Sequence, residues 1–268
     1  MQEKINLIKE AIAKKGSAII AFSGGVDSAT IAALAYEALG ERALAVTAES
    51  VTFSERELKG AIQTAREIGI PHRIVNFDEL EEPGFAENTQ DRCYHCKKGL
   101  LRTLINIADE EGFNVVLEGT NASEIQGHRP GRRAIVETGE RVFTPFVDFG
   151  VTKDEVRQIA REIGLSVADK PSMACLSSRF PYGQLITRDG LTRVGAAEDF
   201  LFSLGFTQLR VRDHSDRNSI ARIEIMPSEF NKFLQERGRI VSHLKKLGFD
   251  YITLDIEGFR SGSMDEVL

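Results

Sequence analysis

SAIIAFSGGVDSATIAALAYEALG, residues 17–40, decides the fold. Its opening SAIIAF is a short apolar run that passes directly into SGGVDS, residues 23–28, and then into the Ala- and Leu-rich ATIAALAYEALG. An apolar run of that length reads as a strand and the Ala/Leu stretch as a helix, so the unit is strand, glycine loop, helix. The alternation continues downstream. ALAVTA from Ala43 precedes SERELKGAIQTAREIG, where Ser54 and Glu57 make a capping box at a helix start. HRIVNF from His72 reads as a third strand, KKGLLRTLINIADEEG from Lys97 as a helix, and VVLEG from Val115 as a fourth strand. Strands separated by helices pair in parallel, which implies an α/β fold built on a doubly wound parallel sheet.

A further helix is expected from Thr152 to Ile163, capped by Thr152 with Glu155 and ended by Gly164. AREIG occurs at 65–69 and again at 160–164, and shared helix-ending chemistry explains so short a match better than duplication. Between Val167 and Gly183 the periodicity fails, and Pro171 and Pro181 bracket KPSMACLSSRFPYG. Beyond it come a helix over Asp189–Leu204, strands near Leu209 and Ile223, a helix over Ser228–Leu247 and a last strand, YITLDI. The expected organisation is a first domain over 1–166, a junction loop over 167–186 that carries Cys175, and a smaller αββαβ domain over 187–268.

Composition narrows the function. The 268 residues carry a formal charge of −6 and are 42% hydrophobic, without the roughly 20-residue apolar run that a membrane helix needs. MQEKINLIKE lacks the basic-then-apolar order of a signal peptide, so a cytoplasmic protein without a membrane partner is expected. The acidic balance argues against a protein that coats nucleic acid and favours small-molecule chemistry. The three cysteines, 93, 96 and 175, suit neither a secreted disulfide scaffold nor a self-sufficient four-cysteine zinc site.

A phosphate group needs several donors converging on its oxygens, and backbone N–H groups reach it only where no Cβ intervenes. Gly24 and Gly25 meet that need, and the following helix adds unpaired N–H groups and the positive end of its dipole. Ser23 and Ser28 add hydroxyls. Asp27 would repel bare phosphate but makes sense holding a Mg²⁺ ion on the phosphates. The plainer reading is an ordinary strand-to-helix turn, which a lone pair of glycines would favour, and neither GxGxxG nor GxxxxGK[ST] can be read here. SGGVDS in this setting resembles the signature of the PP-loop ATP pyrophosphatases, an adenine nucleotide alpha hydrolase-like fold. The resemblance implies ATP cleaved between its α- and β-phosphates, with AMP passed to a substrate oxygen. It places adenine near Ala21, Ala48 and Ser50. Gly119, Thr120 and Asn121 follow the fourth strand at the ligand end of such a sheet.

Cys93 and Cys96, three apart, put both sulfurs on one side of a turn or helix start. Two small buried residues or a redox pair are the plainer readings, but DRCYHCKK is too polar for a core. Metal ligation is stronger. Zinc would need a fourth ligand, for which His95 is poorly aimed and His72 or His128 available; three thiolates suit a [4Fe-4S] cluster with one iron open. Cys175, among small residues and before Arg179, serves as nucleophile, third ligand or a small plug between domains.

Together, SGGVDS, SMACLSSRFPYG, RVRDHSDRNSIARIEI and YITLDIEGFRSG resemble the LarE-type sulfur transferases of nickel-pincer nucleotide synthesis, across essentially the whole chain. The resemblance implies adenylation of a pyridinium biscarboxylate mononucleotide, attack by sulfur on the acyl adenylate, and homo-oligomers. In the best-known version the cysteine matching Cys175 gives up its sulfur and becomes dehydroalanine. Cys93 and Cys96 instead resemble members with three cysteines that hold a [4Fe-4S] cluster presenting an extra sulfide, which makes Cys93, Cys96 and Cys175 the preferred ligand set. An external sulfur source is implied, and no motif identifies it. Arg210 and Arg212 alternate onto one face of a strand, where paired guanidiniums grip a phosphate; the resemblance adds Glu198, Arg222 and Glu224 to that substrate-phosphate site. RPGRR, 129–133, offers another anion contact but reads better as a mobile basic loop, and Lys97 and Lys98 as solvated unless they reach a phosphate. Competing readings are a tRNA thiolase, which lacks an RNA-binding module here, a nucleotide sensor that leaves ATP intact, and an amidating relative that needs no cysteines.

Overall fold

The computed structural model describes residues 1–126, 130–171, 174–215, 218–260 and 262–266. The chain opens with a helix that no motif announces: α1 (Gln2–Ala13) buries Ile5, Ile8 and Ile12, a helical spacing already present in the sequence. There follow β1 (Ala18–Ala21), α2 (Val26–Leu39), β2 (Ala43–Glu49), α3 (Glu55–Ile68), β3 (His72–Asn76), α4 (Arg92–Glu111), β4 (Val115–Leu117), α5 (Pro130–Glu137), β5 (Val142–Phe143), α6 (Pro145–Asp148) and α7 (Lys153–Glu162). The strands form one parallel sheet in the order β3-β2-β1-β4-β5.

Period-two alternation decides which helix each strand residue meets. Ala18, Ile20 and Phe22 pack with α1, α2, α3 and α7, whereas Ile19, Leu44, Val46 and Val116 pack with Leu101, Leu104 and Ala108 of α4. Helices therefore cover both faces and the sheet is doubly wound, as expected. Each fully buried Ile or Leu contributes roughly 1.5–3 kcal/mol and a cap about 1 kcal/mol, so burial sets the layers and caps set where helices begin. Both capping boxes form, Ser54 with Glu57 and Thr152 with Glu155. Both AREIG copies end in a left-handed glycine, Gly69 and Gly164, each at φ +79°.

Two elements differ from expectation. RPGRR is not a loop: from Pro130 onward it is helix α5, with proline at the first helical position, where its missing N–H costs nothing; Arg129 and His128 lie outside the described residues. β5 joins the sheet through Val142 and Phe143 alone, too short a run to show periodicity.

Contacts divide the chain into two units, Met1–Glu82 with Cys93–Met173, and Pro83–Arg92 with Ala174–Leu268. The second contains α8 (Arg188–Ser203), β6 (Leu209–Ser215), β7 (Ser219–Ile225), α9 (Phe230–Gln235), α10 (Arg237–Lys246) and β8 (Tyr251–Leu254). β6 and β7 are antiparallel and β8 joins β7 in parallel. The helix expected over 228–247 is split, because Glu236 leaves helical geometry at φ −85°, ψ 1°, two residues before Gly238, a poor helix former.

Candidate functional site

In the order β3-β2-β1-β4-β5 the chain reverses direction of winding between β1 and β4, and ligands of such sheets bind beyond the strand ends at that point. The two segments that leave those ends are Phe22–Ser28 and Glu118–Asn121. The first is folded around Ser28: its Oγ accepts from the Ser23 amide at 3.2 Å, meets Ser23 Oγ at 3.1 Å and donates to the Gly25 carbonyl at 3.1 Å. α2 then starts from Gly25 without a side-chain cap, so its first amides keep the anion-binding character of an open helix end.

Gly24 is required twice over. It sits at φ +68°, and a Cβ there would lie 2.5 Å from Ala61 Cα on α3. Gly24→Ala combines a left-handed backbone with an overpacked contact, so it should destabilise by about 2–4 kcal/mol and weaken nucleotide binding, read by thermal unfolding and ATP titration. An unchanged melting temperature would refute this packing. Gly119 has the matching role after β4: a Cβ there would lie 3.0 Å from the Asp27 carbonyl carbon and 3.1 Å from the Ser28 amide.

Asp27 is held from two sides, by an ion pair with Lys153 and by Asn121 Nδ2 at 3.0 Å. Sequence reasoning missed Lys153. A lysine at the first position of α7 opposes the helix dipole, and that misfit was the available signal that a carboxylate compensates it. Thr120 donates its amide to Glu118 at 2.8 Å, and Glu118 in turn pairs with Lys97 at 2.7 Å. Burial works against charge in both, yet their mutual attraction prevails: Lys97 is raised and Glu118 lowered, so both are charged at neutral pH. Lys97 is thus an ion-paired residue, not a solvated one. Lys98 is exposed and reaches Tyr94 Oη at 3.0 Å, while Arg133 stacks on the Tyr94 ring, 3.7 Å from its centroid.

Ala21 ends β1, Ala48 lies near the end of β2, and Ser50 follows it. Ser50 donates to Glu79 at 2.7 Å and Thr52 donates to the same oxygen at 2.6 Å. Glu79 is 5% exposed, and its Oε2 is buried with no hydrogen-bond partner among the described residues. Burial pushes this carboxyl up, against the Thr52 and Ser50 hydroxyls. A carboxyl raised by folding contributes its full stability below the unfolded range and loses it as pH rises through the raised value. Glu79→Gln should therefore raise the melting temperature near pH 8 and lose that advantage near about pH 4. An equal difference at both values would contradict the assignment.

Cys93 and Cys96 occupy the first turn of α4, Cys93 exposed and Cys96 half-buried. Among the described residues no group of three His, Cys, Asp or Glu side chains is arranged to hold a metal ion. His72 is engaged by Thr47 Oγ1 at 2.8 Å.

In the second unit the exposed Cys175 precedes a short turn, Leu176–Arg179, with its Sγ 2.8 Å from Ser177 Oγ. Arg179, singled out in the sequence only as a charge beside Cys175, is 1% exposed; it donates to the Ala174 and Cys175 carbonyls at 2.8 and 3.1 Å and forks onto Glu198 at 2.8 and 2.9 Å. Arg210, Arg212, Arg222 and Glu224 share one face of the β6–β7 ladder. Arg212 forks onto Glu224 at 3.1 and 2.9 Å, and Arg222 pairs with Asp255 at 2.7 Å and Glu224 at 3.3 Å. Arg210 hydrogen-bonds the Leu209 carbonyl at 2.8 Å and lies over Phe259, with no carboxylate hydrogen bond among the described residues. Burial, then the Arg179 charge, lower its pKa to about 10, which leaves it cationic at neutral pH and short of an anion.

Comparison with known proteins agrees with this geometry. Residues 1–129 match the NAD synthase family. The chain is 42% identical over 270 residues to an uncharacterised protein of Synechocystis sp., covering 100% of this chain and 99% of that one. It is 39% identical over 250 residues to the pyridinium-3,5-bisthiocarboxylic acid mononucleotide synthase of Lactiplantibacillus plantarum, covering 93% of this chain and 89% of that one. A tRNA-specific 2-thiouridylase of Rickettsia africae is 28% identical over 192 residues, 59% of this chain. With a parallel sheet, an SGGVDS loop at its switch point and similarity to the synthase along nearly its whole length, the chain belongs to the LarE-type ATP-dependent sulfurtransferases of the PP-loop superfamily.

Proposed function

We propose that this protein adenylates the carboxylates of pyridinium-3,5-biscarboxylic acid mononucleotide with ATP and converts them to thiocarboxylates. The observation that carries the reading is similarity to the Lactiplantibacillus plantarum synthase over 93% of the chain, with the tRNA thiouridylase likeness confined to 59%. A substrate carboxylate oxygen attacks the α-phosphorus of ATP, the bond to the β-phosphate breaks, and pyrophosphate leaves. A sulfur nucleophile then adds to the acyl carbon and AMP departs.

The residues take these roles. The open amides of α2 with Ser23, Gly24, Gly25 and Ser28 hold phosphate oxygens, and Asp27 holds Mg²⁺ with Asn121 and Lys153 fixing its carboxylate. Ala21, Ala48 and Ser50, with Gly119 and Thr120, border the nucleotide. Arg210, deficient in counter-charge beside Glu198, Arg212, Arg222 and Glu224, takes the substrate phosphate.

For the sulfur step, Cys93, Cys96 and Cys175 offer three thiols, two of them on one helical turn, a donor set whose chemistry suits a [4Fe-4S] cluster. When bound, such a cluster supplies a sulfide on its open iron and spares the protein's own sulfur. The exposed Cys175, with its sulfur at Ser177 Oγ, also fits a second reading in which it donates its sulfur and becomes dehydroalanine. Iron and sulfide analysis of anaerobically reconstituted protein separates them: absence of a cluster leaves the sacrificial route. A cytoplasmic homo-oligomer is part of the same proposal, and among the described residues no helix is long and apolar enough to cross a membrane.

The functional reading is tested by pyrophosphate release with the pyridinium mononucleotide and, separately, with unmodified tRNA. Release with the mononucleotide is expected. Release with tRNA alone would move the assignment to a nucleic-acid thiolase.

A further inference from the structure

The turn that carries Cys175 owes its shape to a residue far away in sequence. Asn88 is fully buried and adopts φ +53°, the one non-glycine residue with positive φ among those described. A buried side chain in the left-handed region is retained where its surroundings fix it. Those surroundings are the Cys175 segment. Asn88 Nδ2 donates to the Pro181 carbonyl at 2.7 Å and to the Phe180 carbonyl at 3.3 Å, and the Asn88 carbonyl accepts from the Gly183 amide at 2.9 Å. Its Oδ1 accepts from Arg92, and the same Arg92 nitrogen donates to the Ser177 carbonyl at 3.2 Å. Ala86 adds a bond from the Ile186 amide at 2.8 Å.

The chain of contacts ends at the thiol. Ser177 is fully buried, and its Oγ lies 2.8 Å from Cys175 Sγ. Leu176, which opens the turn, and Phe180, which follows it, are also buried. Residues 83–92 pack in one unit with the Cys175 segment, although the chain on either side of them packs in the other.

We infer that Asn88 and Arg92 are positioning residues for the sulfur step: they latch the Ser177–Gly183 backbone so that the Cys175 thiol is held in one orientation. The inference rests on Cys175 as the sulfur-handling residue. Because a displacement of about 1 Å at a reacting group can cost roughly 100-fold, loss of the latch should uncouple sulfur transfer from adenylation.

The test is Asn88→Gly in the full-length protein. Glycine accepts φ +53° without strain, so the variant removes the side-chain bonds and keeps the backbone. Asn88→Asp retains the acceptor for Arg92 but loses the donor to Phe180 and Pro181, and should behave like the glycine variant, not like wild type. Arg92→Met removes the one nitrogen that donates to both Asn88 Oδ1 and the Ser177 carbonyl, a second route to the same effect should an Asn88 variant fold poorly. Expected are pyrophosphate release within about 2-fold of wild type, thiocarboxylate formed per pyrophosphate lowered about 10-fold or more, and a several-fold change in native iodoacetamide alkylation of Cys175 relative to Cys96. An unchanged yield per pyrophosphate together with unchanged Cys175 alkylation in the folded variants would overturn the latch, as would parallel loss of both half-reactions. The alkylation readout is independent of substrate, so failure of the substrate assignment would be seen separately.

Discussion

Asp27→Asn should lower pyrophosphate release by about 100-fold or more while moving the melting temperature by only a few degrees. The two magnitudes come from different physics. The carboxylate is about a quarter exposed, and its pair with Lys153 is screened by water, so the stability at stake is about 1 kcal/mol or less, a shift of about 2–4 °C for a chain of this size. In the proposed reaction the same charge would balance Mg²⁺ on the departing pyrophosphate, and removing one preorganised electrostatic partner costs about 10²–10³ in rate. Steady-state pyrophosphate assay beside thermal unfolding reads both. A large loss of stability with a proportionate loss of rate would make Asp27 a structural residue.

Cys175→Ala should abolish thiocarboxylate formation, by roughly 10³-fold or more, and leave pyrophosphate release within about 3-fold of wild type. The thiol is exposed and, among the described residues, its sulfur has only Ser177 Oγ as a hydrogen-bond partner, so little packing is lost. The phosphate loop belongs to the other unit and draws its hydrogen bonds from Ser23, Gly25 and Ser28. Mass analysis of product alongside the pyrophosphate assay tests the separation. Full sulfur transfer by the alanine variant would transfer the role to Cys93 and Cys96.

The parts of the fold that were legible are those written in local chemistry. SAIIAF, SGGVDS and the Ala/Leu run announce β1, the loop and α2, and both capping boxes form where Ser54 and Thr152 stand three residues before a glutamate. Long-range partnerships were not legible. The Lys153 pair with Asp27 spans 126 residues, and Asn88 meets Pro181 across 93. No local pattern names the distant partner in either pair. Lys97 read as solvated because a lysine on a helix usually is, but Glu118 at the end of β4 draws it into an ion pair. RPGRR read as a loop because proline and glycine break helix interiors, whereas proline at the first helical position does not. In the substrate-phosphate face, alternation on β6 correctly put Arg210 and Arg212 on one side; that Glu224 neutralises Arg212 while Arg210 is left short of charge required the register with β7.

The most direct measurement combines the protein with Mg-ATP, the pyridinium biscarboxylate mononucleotide and a sulfide source under anaerobic conditions, and weighs every product by mass spectrometry. The expected result is a mononucleotide in which carboxylate oxygen is replaced by sulfur, with one AMP and one pyrophosphate for each oxygen exchanged. ADP and phosphate in place of AMP and pyrophosphate, or AMP formed while the mononucleotide keeps all its oxygens, would contradict the account.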